Sequence, residues 1–134
     1  MEAGYNADPM AEVEASVVRT EVSDAVQPVL SDHDLLVTPT FAVPPVENSV
    51  TMDGQVVGPT TVNGESVDPL LGWCLIYPIN FTGHSATSIP AGFTDDGLPV
   101  GLQIIGCRFE DETVLAASAA VERERLWQDV YPGP

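Results

Sequence analysis

The chain is 134 residues long, the size of one ordinary domain, and 44% of it is hydrophobic, which excludes a disordered acidic tail. Asp and Glu number 20 against 4 basic residues, for a formal net charge of -16. That balance excludes a nucleic-acid surface, because phosphate binding needs clustered cations.

The basic residues are Arg19, Arg108, Arg123 and Arg125, so the chain has no lysine. The acids are scattered, with Glu110, Asp111 and Glu112 the longest run. Such a surface suits a protein working at high salt, where repulsion is screened and carboxylates hold water; an ordinary acidic domain is the plainer alternative. Cys74 and Cys107 form no CxxC pair, so two buried free thiols are expected, with no metal site and no disulfide scaffold. No basic stretch followed by an apolar core comes after Met1, and no apolar run reaches the length of a membrane span. The expectation is a soluble cytoplasmic protein that meets neither membrane nor nucleic acid.

Taken in chain order, Pro9 to Leu30 reads as an amphipathic helix. Val13, Val17, Val18, Val22, Ala25 and Val29 recur at three- and four-residue spacings. Asp8 before Pro9 supplies an N-cap, and Pro28 is expected to kink or fray the end. Ser31-Asp32-His33-Asp34 is a polar turn, since three consecutive residues cannot converge on one metal ion. Leu35 to Thr38, stopped by Pro39, reads as a buried strand covered on both faces.

Residues 41–68 read as one long irregular loop, with tight-turn dipeptides at Asp53-Gly54 and Asn63-Gly64. Pro69 to Phe81 is apolar, and a helix there would stack Trp73, Tyr77 and Phe81 on one face as core. Ala86 to Pro90 and Leu98 to Ile105 form a hairpin about Asp96-Gly97, with Gly92, Gly97 and Gly101 marking bulges or close backbone approach. A last helix runs from about Glu112 to Arg125, with Asp111 as N-cap. Its narrow stripe of Val114, Leu115, Ala117, Ala119 and Val121 suits close packing on a sheet.

The segment Tyr77-Pro-Ile-Asn80-Phe-Thr82-Gly83-His84-Ser-Ala-Thr-Ser-Ile-Pro90-Ala-Gly92, followed by Asp96-Gly97-Leu-Pro99-Val-Gly101-Leu-Gln103-Ile-Ile-Gly106, resembles the C-terminal block of the amidase-signature hydrolases. Asp34 to Thr40 resembles the strand before that family's Pro-Thr loop, and Arg108-Phe109 with the acid-capped helix also fits. Ser85 replaces a frequent proline, and Cys107 stands where a basic residue is common. The resemblance implies an α/β fold, the C-terminal part of a sandwich with a mixed sheet flanked by helices. Such a part is incomplete on its own and leaves sheet edges and an apolar face exposed.

The resemblance also implies amide hydrolysis through an acyl-enzyme, by a serine activated by a second serine in a cis peptide and by a neutral lysine, with no cofactor. Those groups lie in a Gly/Ser-rich core upstream of the matched region. With no lysine and no such stretch, this chain carries no catalytic residue of that kind. The implied partners are the missing N-terminal catalytic half, in cis or as a separate chain, and a small amide substrate.

A Ser-His-Asp set using His84 and Ser85 fails, because adjacent residues point apart and no nucleophile elbow accompanies them. By resemblance, Asn80, Thr82, Gly83 and His84 lie near the floor of the substrate pocket. A satisfied structural turn is the equal alternative. Arg108 is expected to pair with the acids at the start of the last helix, or else to reach a substrate carboxylate. Hydrolysis at the level of the parent enzyme, the amidase subunit of a tRNA-dependent amidotransferase, a non-enzymatic interaction module and a non-functional remnant all remain open.

Overall fold

Asp8 starts the first helix as its sequence predicts. Its carboxylate accepts from the Met10 amide at 3.0 Å, and Pro9 takes the first position, where its missing N–H costs nothing. In this computed structural model, which describes residues 8–47, 51–52, 54–125 and 127, helix α1 spans Pro9–Asp32. Pro28 does not end it, and the helix continues until the His33 amide donates to the Val29 carbonyl.

The periodicity of α1 is right, but its burial is not what the pattern implies. Val13, Val17 and Val18 are 55%, 53% and 54% exposed, and only Leu30 is buried. An apolar stripe is buried only where something lies against it. Among the described elements α1 meets chiefly α2, the short helix Ile76–Thr82.

Three strands form an antiparallel sheet in the order β1-β7-β6, where β1 is Leu36–Pro39, β6 is Ala86–Phe93 and β7 is Pro99–Ile105. Leu36 pairs with Ile105 on one side, and Ala86 pairs with Ile105 on the other. The β6–β7 hairpin turns through Thr94–Leu98 with Gly97 at φ 80°, and its register shifts between Pro90 and Gly92. Both features follow from glycines at those places.

The strand expected to be covered on both faces is corrected. β1 is an edge, and its exposure alternates, with Val37 51% exposed. Coverage of both faces belongs instead to the end of β7, where Ile104 and Ile105 point to opposite sides and each is 1% exposed. Ile105 joins Leu30 and Ile79 in the core, with Val26, Leu36 and Cys107 packed against them. Helix α3, Asp111–Glu124, lies against β6 and β7. Gly106 permits that approach, since a Cβ there would fall 2.8 Å from Val114 Cγ2.

Residues 41–68 are not irregular throughout. They contain two short hairpins, β2 (Thr51–Met52) with β3 (Gln55–Val56), and β4 (Thr61–Val62) with β5 (Glu65–Ser66). In the second, Asn63 at φ 51° and Gly64 at φ 86° both adopt the left-handed conformation that a two-residue hairpin requires. Asp53 of the other dipeptide lies outside the described residues.

The expected aromatic face is also corrected. Asp68 accepts from the Leu70 and Leu71 amides and folds residues 69–73 as turns, so Trp73 lies outside α2. Tyr77 and Phe81 do stack, edge to face with centroids 5.1 Å apart, but both are exposed and neither joins the core that their spacing predicted. Pro78 is tolerated as the third residue of α2, because first-turn amides have no helical acceptor. In α3 the cap is Glu110 and not Asp111, without a side-chain bond to the backbone, and Leu115 is 63% exposed, off the buried stripe. Cys74 and Cys107 are free but half-buried: Cys74 makes an isolated bridge with Phe41 and Cys107 lies just past the end of β7, so neither is inside the main sheet.

Candidate functional site

Two candidate sites stand out, one a buried polar pair and one a largely apolar cleft. The first is built where α2 ends. Thr82 is its last residue, Gly83 turns the chain at φ 69° with its amide on the Ile79 carbonyl, and His84 folds back beneath. Only glycine takes that left-handed turn at no steric cost. Thr82 and His84 are 1% and 7% exposed.

The Thr82 hydroxyl donates to the Ile79 carbonyl at 3.0 Å, so its oxygen is left to accept from His84 Nδ1–H at 2.7 Å. That assigns a ring proton to Nδ1. Nε2 is then a buried acceptor with no partner among the described residues. Burial pushes the His84 pKa down, and the nearby Arg108 charge pushes it further the same way.

Arg108 does not pair with the acids at the start of α3. Its Nε donates to the Thr82 carbonyl at 2.8 Å, and its guanidinium reaches Ser23 Oγ of α1 at 3.5 Å. It therefore fastens the end of α2 to α1. Asn80 stays on the exposed side of α2 and does not join the Thr82–His84 pair. The four residues singled out from the sequence, Asn80, Thr82, Gly83 and His84, thus form one turn with a buried hydroxyl–imidazole pair.

The second centre is a cleft of about 660 Å³ between the segment after β1 and the β6–β7 hairpin. The Thr40 amide continues the ladder to the Gly101 carbonyl at 3.0 Å. Phe41 then crosses to bridge Cys74, and the Ala42 amide bonds the Trp73 carbonyl. This places the Phe41 and Trp73 rings 5.3 Å apart and tilted 40° on one wall. Trp73 is held from behind, since its Nε1–H donates to the Pro69 carbonyl and its ring lies where a Cβ on Gly58 would be.

Thr40 and Ser88 are joined through their hydroxyl oxygens at 2.6 Å, and both belong to the cleft lining. Gly101 makes the pairing possible, because a Cβ there would sit 2.5 Å from Thr40 Oγ1. None of Asn80, Thr82, Gly83 or His84 lines this cleft. The sequence alone does not assemble it. Gly101 signals a close approach, and Thr40 falls in the matched Asp34–Thr40 strand, but nothing local joins them to Trp73 and Ser88.

Among the described residues, no three His, Cys, Asp or Glu side chains are placed to hold a metal ion. The Asp32-His33-Asp34 stretch is exposed and serves as the end of α1. No described helix is long and apolar enough to cross a membrane.

Comparison with known proteins gives concordant results. The family model for Amidase matches residues 1–115. An acylamidase from Rhodococcus erythropolis is 37% identical over 119 residues, covering 88% of this chain and 24% of that protein. A glutamyl-tRNA(Gln) amidotransferase subunit from Streptococcus pyogenes is 40% identical over 108 residues, covering 81% of this chain and 20% of its own length. The crystal structure of a bacterial aryl acylamidase of the amidase-signature enzymes superposes with a TM-score of 0.84 at 44% identity. It covers 96% of this chain and 26% of that one. The chain therefore spans about a quarter or less of the relatives it matches. The matched residues and the shared backbone make the chain a member of the amidase family.

Proposed function

We propose that the chain is the C-terminal portion of an enzyme that hydrolyses amide carbon–nitrogen bonds, with its Ser-cisSer-Lys machinery supplied by the rest of the family fold. The observation that carries this reading is the absence of any lysine in a chain otherwise matched to amide hydrolases. In that chemistry a neutral lysine takes the proton of the bridging serine, which takes that of the nucleophile, as the nucleophile's oxygen attacks the carbonyl carbon. The amine then leaves with a proton, and water cleaves the acyl-enzyme.

The missing catalytic half works either in the same chain of a parent enzyme or as a separate polypeptide. The exposed Val13, Val17 and Val18 of α1 and Val37 of β1 are the surfaces it would cover. In this reading Asn80, Thr82, Gly83 and His84 back the substrate pocket, with the Thr82–His84 bond holding the turn rigid. No cofactor is needed. A cytoplasm rich in salt suits the acid-rich, lysine-free composition.

The test is to assay release of 4-nitroaniline from 4-nitroacetanilide by the pure chain, and then by the chain mixed with a lysine-bearing N-terminal portion of an acylamidase. No release alone and release on mixing is the expected outcome. Release by the pure chain refutes the reading. Complex formation without release moves it to a non-enzymatic interaction module.

A second reading is favoured by the 40% identity to the amidotransferase subunit, in which the same chemistry would release ammonia from glutamine. Replacing the anilide by glutamine in the same mixture separates the two.

A further inference from the structure

We infer that Phe109 is the anchor by which this chain docks onto the rest of its fold, the ring entering an apolar pocket of the N-terminal catalytic portion. This rests on the reading that such a portion completes the enzyme, and it adds the point of attachment. The ring is 94% exposed, and no other large hydrophobic among the described residues exceeds 63%. A single exposed hydrophobic is ordinary on a protein surface. What sets Phe109 apart is its backbone. The Glu110 amide donates to the Cys107 carbonyl at 3.2 Å, which closes a four-residue turn with Phe109 third. Its φ is 67°, the left-handed conformation that one class of such turns requires at the third residue.

Glycine takes that position freely, whereas a bulky side chain is strained there. Asn63 is the other described non-glycine residue with positive φ, and asparagine tolerates it. Phe109 bears the strain while its ring, standing in water, gains no packing within the chain in return. Strain of this kind points to a function outside the local fold. Both neighbours of Phe109 are fastened. Arg108 Nε donates to the Thr82 carbonyl at 2.8 Å and its guanidinium reaches Ser23 Oγ, while Glu110 opens α3 and accepts from Thr113 Oγ1 at 3.0 Å. The ring is thus carried on a rigid stem, and an aromatic group fixed before binding loses little freedom when a partner buries it. The aryl acylamidase backbone that this chain matches over 96% of its length is covered to only 26%, so about three quarters of that fold lies outside this piece and is there to receive the ring. A second copy is the poorer occupant, because each copy carries a formal charge of -16 and two such surfaces repel.

The test is to titrate the 134-residue chain into a lysine-bearing N-terminal portion of an acylamidase by calorimetry in multimolar KCl, with urea unfolding and sedimentation of the chain alone beside it. The unaltered chain should bind, and by itself should sediment as a monomer. Phe109→Ala, which keeps the strained backbone and removes the ring, should weaken binding at least about ten-fold. Phe109→Gly should weaken it likewise, yet leave the urea midpoint of the free chain within about 0.5 M of the parent or raise it, since the turn is relieved and the ring has no packing there to lose.

Equal binding by Phe109→Ala overturns the inference. So does a larger fall in the free chain's midpoint on Phe109→Gly, or a dimer of the chain alone that Phe109→Ala dissolves. No binding by the unaltered chain sinks the anchor and the hydrolysis reading together. Binding that needs Phe109, without amide release on mixing, sinks only the hydrolysis reading. Release on mixing, with binding that Phe109→Ala leaves intact, sinks only the anchor.

Discussion

Replacing Thr82 by valine tests whether the α2 turn is held by its hydroxyl or by packing alone. The hydroxyl makes two bonds, one given to the Ile79 carbonyl and one received from His84 Nδ1. The first loss is modest, because the Ile79 carbonyl keeps the Gly83 amide at 3.2 Å, so about 1 kcal/mol is at stake. The second leaves a buried N–H with no acceptor, which costs about 1–3 kcal/mol. Moving the proton to Nε2 gives no relief, since that atom is buried and unpartnered as well. The added methyl returns about 0.8 kcal/mol. The net expectation for Thr82→Val is a loss of about 1–3 kcal/mol. In urea, at a slope of about 2 kcal/mol per molar, the midpoint should fall by about 0.5–1.5 M. Thr82→Ser keeps the hydroxyl and should lose only about 1 kcal/mol, the value of one buried methyl. A valine variant within about 0.5 kcal/mol of the parent, or a serine variant no better than the valine one, would refute the hydrogen-bond account.

Three further outcomes are expected. His84 is held neutral by burial and by Arg108, so the unfolded chain binds the proton more readily. Stability at this group should be full above about pH 6.5 and fall as pH drops below it, and His84→Gln should flatten that limb of a pH series of unfolding curves. Gly58→Ala places a Cβ 2.2 Å from Trp73 Nε1, so the indole must move. Its fluorescence should shift red, with a loss of about 1–3 kcal/mol. Ile105→Ala empties the centre of the Leu30–Ile79 core and should cost about 2–5 kcal/mol by urea titration.

Local chemistry is legible in the sequence and long-range company is not. The Asp8-Pro9 start of α1, the glycines of the β6–β7 hairpin and the small-residue face of α3 are each decided within a few residues, and each appears where the sequence puts it. The helical spacing of Trp73, Tyr77 and Phe81 misleads twice, on where the helix starts and on the burial of the two rings it does carry. Two amides bound to the Asp68 carboxylate hold the preceding turn and leave Trp73 to settle on Gly58, a residue with no place in a periodicity. The valines of α1 read as a buried face because a stripe reports that a surface is apolar without saying whether its cover lies in the same chain. The cleft is invisible for a related reason: Thr40, Trp73, Ser88 and Gly101 come from four separate stretches and meet only once β1, β6 and β7 are paired.

Gln103, the last residue of the matched Gly-Leu-Gln segment, is 3% exposed, and its amide nitrogen donates to Thr38 Oγ1 at 3.0 Å and to the Leu75 carbonyl at 3.4 Å. Thr38 is its direct partner across the β1–β7 ladder. Slide β1 by one residue and Val37 or Pro39 faces Gln103 instead, neither with a side-chain acceptor to offer. A misaligned edge strand would then strip the buried amide of its shorter bond and leave only the longer one to Leu75, a state disfavoured by about 1 kcal/mol. The sheet therefore proofreads its own alignment: a single glutamine rejects the wrong pairing of the strand that, standing at the border of the structure, has the fewest neighbours to correct it.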